Sequence, residues 1–535
     1  MISTRYGGTG GYRLELVDNE DLVVVRARQR GTRPERAPLA RHSREVMDRL
    51  RPLFAFPAAG VGVYRAPAGA AEELADALAP DPTLQFAGRG LADPAGEPVV
   101  YTENAFVKFA DTVGDERCQA LLRAHGFTPH RPVSYLRNAY FVGAEEGTGR
   151  AVFDRALELL DRSEVTLCHP ELVRRRMHRG AFPPQWHLGV TTVGGVRIRA
   201  HANVERAWRL ATGEGTVIAV IDDGVDIDHE EFTGVGKIVA PRSFGKVASD
   251  DPRPGEGDDH GTAAAGVACA GGRFGASGVA PAARLMPLRL TAGLGSQDEA
   301  DSFAWAADHG ADVVSCSWGP ADGRWWDPGD PRHGQVVPLP DSTRLAIDYA
   351  VRSGRGGLGC VIVWAAGNGD ESVDDDGYAS NPDVIAVAAC NDSGTRSAYS
   401  DHGAAISVAF PSNDYRTDTG PVPRTPGIWT TDRAGRQGYN PGSPTRGDAT
   451  GNYTNAFGGT SSACPGVAGA AALVLSVAPG LRADEVRGVL QRSATRIGNP
   501  EDYDAAGHSA HYGYGRVDAA GAVRLARAAG PAGPA

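Results

Sequence analysis

The chain has 535 residues, 41% of them hydrophobic, a formal net charge of -11 and seven cysteines. That length exceeds one typical domain and supplies apolar material for more than one core, while the acidic balance argues against nucleic acid as a partner. No run of about 18 uninterrupted, strongly apolar residues occurs, which argues against a membrane span, and the start Met1-Ile2-Ser3-Thr4-Arg5 lacks the basic and apolar regions of an export signal, so a cytoplasmic location is expected.

The first module, 1–98, reads as α+β of unknown role. Tyr12 to Val17 and Leu22 to Val25 flank the polar Asp18-Asn19-Glu20-Asp21, a pattern that predicts a hairpin, and Ala70 to Leu78 predicts a helix. Residues 99–173 alternate more regularly. Strands are expected at Asn104 to Phe109, within His130 to Leu136, at Ala139 to Val142 and at Val165 to Cys168. Helices are expected around Cys118, Leu121 and Leu122, with Gly126 as a stop, and around Phe153, Ala156, Leu157 and Leu160. The order βαββαβ is that of a ferredoxin-like split unit. No internal repeat is evident. A basic linker, 174–182, follows with Arg174, Arg175, Arg176 and Arg179.

Residues 183–528 read as a doubly wound, mostly parallel α/β layer structure, with 529–535 as a flexible tail. Val217 to Ile221 is a continuous apolar run that suits a strand buried on both faces, and it ends on Asp222-Asp223-Gly224. A carboxylate at the carboxyl end of such a strand can hold an imidazole by its Nδ1-H and stabilise the imidazolium. His260 opens a small-residue helix, Gly261 to Ala268, that can pack tightly and fix the ring as a general base requires. Further strands and helices alternate through Phe303, Val313 to Cys316, Leu345 to Val351 and Val361 to Ala365, after which Asn368 stands in Gly367-Asn368-Gly369. Finally Gly459-Thr460-Ser461-Ser462 leads into an apolar helix running to Leu475, so that Ser461 would lie at a helix N-terminus, beside the positive end of its dipole. Cys269, Cys316, Cys390 and Cys464 stand among small or apolar residues, which reads as buried free thiols in a reducing compartment.

An acid, a base and a nucleophile in the order Asp222, His260, Ser461 resemble the subtilisin-like serine proteases. The motifs Asp222-Asp223-Gly224, Ser315 to Gly323, Gly354 to Gly359 and Asp376-Gly377-Tyr378 are similar to the kexin and furin branch, from about Pro183 to Asp518, and the β-sandwich that follows there is not expected. The resemblance implies a serine endopeptidase made as an autoinhibited zymogen. Asn368 would donate to the oxyanion, and Ser317-Trp318-Gly319 would pair with an extended substrate. Asp322 and Asp376 would line an S1 pocket for Arg or Lys, and Asp322, Asp374 and Asp401 would hold a structural Ca2+. A second family calcium site is not expected, because Glu231 replaces an aspartate there and Gly271 to Gly275 lacks an asparagine. Residues 99–173 would act as the intramolecular inhibitor, and the linker, through Arg176 or Arg179, as the first substrate. The partners expected are peptides or proteins with basic residues. Two other readings use the same residues: a peptide ligase or macrocyclase, and a permanently inhibited peptide-binding protein.

Overall fold

The computed structural model describes residues 2–28, 34, 37–56, 60–92, 98–133, 136–145, 148–173, 181–245, 248–416, 422–423 and 427–529. The chain divides into two compact units, Met1–Met177 and His178–Ala535. Residues 174–180, with the arginines of the expected cleavage linker, and 530–535 lie outside the described residues.

The first unit comprises β1 (Ile2–Tyr6), β2 (Tyr12–Ala27), α1 (Arg41–Met47), β3 (Arg51–Phe56), β4 (Val61–Arg65), α2 (Ala71–Leu78), β5 (Leu84–Ala92), β6 (Pro98–Phe109), α3 (Asp115–Ala124), β7 (Phe127–Pro132), β8 (Ala139–Ala144), α4 (Ala151–Leu160) and β9 (Val165–Val173). The second half has the spatial order β7-β8-β6-β9 with antiparallel neighbours, the arrangement of a split βαββαβ unit. Its strand β7 begins at Phe127, earlier than the sequence suggested.

The first half repeats the plan. Elements β2, α1, β3, β4, α2 and β5 follow in the same order and lie as β3-β4-β2-β5, again antiparallel. This duplication was invisible in the sequence because the hairpin expected at Asp18 to Asp21 does not form. Instead β2 runs through those residues as one strand, with a shift of register against β5 between Asp18 and Val23. Asp18 is held there by an ion pair with Arg150. The boundary expected at residue 98 falls at the first residue of β6, and Leu14, Leu16 and Leu91 of the first half share a core with α3 and α4 of the second. The two halves therefore share one sheet, and part of the first half's apolar surface joins the core of the second, while α1 and α2 cover a separate core of Val23, Val25, Leu74 and Leu78.

The second unit holds a short hairpin, β10 (Thr191–Val193) and β11 (Val196–Ile198), then α5 (Val204–Ala207), β12 (Val217–Asp222), β13 (Arg242–Phe244), α6 (His260–Cys269), β14 (Arg284–Leu290), α7 (Gln297–Asp308), β15 (Val313–Cys316), α8 (Asp341–Gly357), β16 (Val361–Ala365), β17 (Val384–Cys390), β18 (Ile406–Pro411) and α9 (Thr460–Val477). Its parallel sheet has the order β13-β14-β12-β15-β16-β17-β18. Strand order reverses around β12, and the crevice at the carboxyl ends of strands at such a point is where open α/β sheets place their ligands.

Every residue of β12 is buried, as its apolar run predicted. Ile218 and Val220 face the core built with α6 and α9, whereas Val217, Ala219 and Ile221 face the core built with Phe303 of α7 and Ile347 of α8. Helix α9 is long and apolar enough to cross a membrane, but 83% of its apolar window is buried inside the unit, so it serves as a core helix. All seven cysteines are buried and unpaired.

His187 is fully buried, and neither ring nitrogen has a hydrogen-bond partner among the described residues. Burial pushes its pKa down to about 3. As pH falls below the ordinary imidazole value the unfolded chain takes up a proton that the folded chain refuses, so stability is lost between about pH 6.5 and 3. His187→Phe is expected to remove that loss and to gain about 2 kcal/mol at pH 5 relative to pH 8, read from denaturant midpoints at both pH values. Equal shifts at the two pH values would contradict this account.

Candidate active site

Asp222, the last residue of β12, is 6% exposed and directs its carboxylate at His260, the first residue of α6. The Nδ1 atom of His260 lies 2.9 Å from Asp222 Oδ1 and 3.1 Å from Oδ2. A second carboxylate fixes the start of that helix: Asp223 accepts hydrogen bonds from the main-chain N-H of His260 (3.1 Å) and of Gly261 (2.7 Å). A Cβ on Gly261 would sit 2.3 Å from the main-chain oxygen of Gly224, so only glycine lets α6 approach the β12 loop this closely. Burial, then Asp222, pushes the Asp223 pKa up to about 6. At His260 burial works against the imidazolium, but the charge and hydrogen bond of Asp222, with Asp223 and Asp259 behind it, outweigh burial and raise the pKa.

Ser461 occupies the first turn of α9, one residue inside its start at Thr460. Its hydroxyl donates to the main-chain oxygen of Ser317 (3.2 Å), and no hydrogen bond joins it to His260 in this state. Phe457, four residues before it, packs its ring edge-on to His260 at 5.3 Å between centroids. Pro465 lies in the second turn, where its missing N-H leaves the Ser461 carbonyl without its usual helical donor.

Asn368 meets the same turn. Its Oδ1 accepts from Thr460 N (2.8 Å) and Thr460 Oγ1 (3.1 Å), which leaves Nδ2 as the donating end of the amide, with the Asp322 carboxylate as a neighbour that also bonds this side chain. Its own N-H donates to Asp322 Oδ2 (2.8 Å).

Ser317-Trp318-Gly319 continues β15 past its carboxyl end. Trp318 is anchored by Nε1 to the oxygen of Ile221 (2.7 Å), next to Asp222, and its own main-chain oxygen accepts from Trp364 Nε1 (2.6 Å). Asp376 lies beside Gly319, whose added Cβ would be 3.4 Å from Asp376 Oδ2. Burial raises the Asp376 pKa to about 6, with Asp322 and Glu371 adding like charge.

The expected metal ligands are only partly brought together. The carboxylates that converge, with ligand atoms within 4.8 Å of one another, are Asp322, Glu371 and Asp401. Asp374 is not among them. A short 3-10 turn at Val373–Asp375 aims it instead at the N-H groups of Ala404 and Ala405 (3.1 Å each). Glu371 was missed by sequence reasoning because the turn at Val373–Asp375, which carries Asp374 away, leaves no mark in the order of the acidic residues. The donor set fits a hard cation: all the ligand atoms are carboxylate oxygens, burial holds the Asp401 pKa well above the usual range, and the neighbouring charges raise it further. The second family site does not fit. Glu231 accepts from the N-H groups of Arg273, Phe274, Gly275 and Ala276, so that loop offers donors where a cation needs oxygens.

Comparison with known proteins places this geometry among relatives. The model of the subtilase family matches residues 213–515. A calcium-dependent protease of Trichormus variabilis is 57% identical over 99% of this chain and 81% of that protein, and one from Nostoc sp. is 56% identical over the same shares. Human proprotein convertase subtilisin/kexin type 7 is 29% identical over 77% of this chain and 52% of its own length. Among solved structures, the Aeromonas sobria serine protease in complex with its chaperone is 27% identical, with a TM-score of 0.54 over 67% of this chain and 69% of that one.

Proposed function

The chain belongs to the subtilase family of serine proteases, on its kexin-like side, and from that premise we propose that Asp222, His260 and Ser461 form its catalytic triad and that it cuts after basic residues. The observation that carries the reading is the short Asp222–His260 contact at the carboxyl end of β12, with the Asn368 amide and Ser461 on the adjoining turn.

A substrate strand pairing with Ser317 to Gly319 would donate its N-H to the Ser317 oxygen, the atom that now receives the Ser461 hydroxyl. The hydroxyl is then released to His260 Nε2, which takes its proton as Oγ attacks the carbonyl carbon. Asn368 Nδ2 and the N-H groups at the start of α9 receive the oxyanion, and Asp222 stabilises the imidazolium. His260 returns the proton to the leaving amine, the C-N bond breaks, and water hydrolyses the acyl-enzyme by the same steps in reverse roles. Hydrolysis needs His260 neutral, so its raised pKa places the acid limb of kcat/KM above pH 6.5.

Asp322 and Asp376 support a basic P1 side chain, because partly desolvated carboxylates favour a guanidinium through charge-assisted hydrogen bonds. Asp376→Asn is expected to lower kcat/KM for Arg at P1 by about 10- to 100-fold while leaving apolar P1 residues within about threefold, read by cleavage of a mixed peptide library. An unchanged P1 profile would remove the assignment.

The relatives named calcium-dependent proteases support the same dependence here. Asp322, Glu371 and Asp401 would hold the ion; when bound, it supplies the positive charge that offsets their mutual repulsion. We place the intramolecular inhibitor in residues 99–173, with activation by cleavage in the basic linker.

A further inference from the structure

We propose that Asn413 is a positioning residue for the oxyanion site, acting through the main chain of Gly458 and Gly459 and through no contact with substrate. The proposal rests on the reading of Asn368 as the oxyanion donor.

Of the turn before Ser461, Thr460 is tied down by its hydroxyl, which bonds the Gly367 oxygen (3.2 Å) and Asn368 Oδ1 (3.1 Å), but the two glycines before it carry no side chain that could hold them. Gly459 adopts φ 73° and ψ 177°, a left-handed conformation closed to residues with a Cβ, and Gly458 precedes it. At the two glycines, order must therefore come from groups that grip the backbone. Asn413, 4% exposed, accepts the Gly459 N-H at its Oδ1 (3.0 Å) and lies so close to Gly458 that a Cβ there would be 2.2 Å from that oxygen. The Gly459 carbonyl is held from the same side, by the hydroxyls of Ser412 (2.9 Å) and Ser462 (3.1 Å). Behind Asn413, the fully enclosed Tyr399 hydroxyl lies 2.8 Å from its Oδ1 and 2.9 Å from Ser412 Oγ.

With both ends of Gly459 fixed, the next peptide has one orientation, and in it Thr460 N-H points at Asn368 Oδ1 (2.8 Å). That bond, together with the one from Thr460 Oγ1 (3.1 Å), turns Asn368 Oδ1 toward the helix start and Nδ2 away from it. The sequence of contacts is thus Tyr399, Asn413, Gly459, Thr460, Asn368, ending on the Nδ2 donor. Oxyanion stabilisation depends on donors held in place before charge develops, so a small rotation of the Gly459 peptide misaims Nδ2 and the Ser461 N-H together. Ground-state contacts along Ser317 to Gly319 would be untouched.

Asn413→Leu keeps the shape and removes the acceptor. It is expected to lower kcat by about 10- to 100-fold with KM within about twofold, and to weaken a matched peptide aldehyde, whose hemiacetal oxygen occupies the oxyanion position, by a similar factor. Asn413→Asp restores an acceptor oxygen and is expected to recover kcat to within about fivefold of wild type. Combining Asn413→Leu with Asn368→Ala should cost no more than about threefold beyond Asn368→Ala alone, because one acts through the other. Full additivity, or a lower melting temperature with kcat and aldehyde affinity both within twofold of wild type, would overturn the proposal. A kcat unaffected by Asn368→Ala itself would instead overturn the oxyanion reading on which it stands.

Discussion

Ser461→Ala is expected to abolish peptide hydrolysis, with kcat falling by about 10⁶-fold, the scale known for the nucleophile of another subtilase. Two further readouts make this more than loss of activity. A fluorophosphonate probe should label the wild-type protein on Ser461 and leave the alanine variant unlabelled. The amino-terminus of the purified protein should also differ: wild type cut within Arg174 to Arg179, and the variant intact. A wild-type chain that hydrolyses peptides with its linker uncut would remove self-processing while leaving the triad in place. Asp222→Asn is expected to cost about 10⁴-fold without altering KM, because an amide can hold the wrong imidazole tautomer in the same geometry. Wild-type activity in Asp222→Asn would mean that the Asp222–His260 contact is not the catalytic one, and in Ser461→Ala that Ser461 is not the nucleophile.

Chelation of divalent cations is the second large effect. Asp322, Glu371 and Asp401 place like charges within a few ångströms, and burial already resists the ionisation of Asp322 and Asp401. An ion that binds only the folded protein stabilises it by mass action, about 3 to 4 kcal/mol at 100 to 1,000 times its Kd. Removing calcium with EGTA should therefore lower the melting temperature by several degrees and suppress hydrolysis, and added calcium should restore both. Glu371→Gln should weaken calcium binding about tenfold or more, measured by titration calorimetry, whereas Asp374→Asn should leave it unchanged, since Asp374 is committed to the Ala404 and Ala405 N-H groups. Loss of binding in Asp374→Asn with retention in Glu371→Gln would reverse the ligand assignment.

What was legible in the sequence was local. The run into Asp222 predicts a doubly buried strand because its apolar residues are continuous, and the glycine after His260 marks a close approach that side chains forbid. The alternation after residue 183 gives the layered sheet for the same reason. Where pairing across distance decides the outcome, the chain misleads. Asp18 to Asp21 look like a turn, yet their strand is held straight by partners far along the sequence, among them Arg150, and so the doubled βαββαβ plan stayed hidden. Asp374 and Glu371 are three residues apart, and nothing in their order tells which faces inward; the short turn between them does. The grip of Asn413 on Gly459 spans 46 residues and has no motif.

The cysteines give the molecule a built-in gauge of its own opening. Cys118 and Cys168 lie in the core of the first unit, and Cys269, Cys316, Cys360, Cys390 and Cys464 are buried in the second, all without disulfides. A thiol-reactive dye reaches none of them until the surrounding core parts, so its rate of uptake at each site clocks how often that unit breathes.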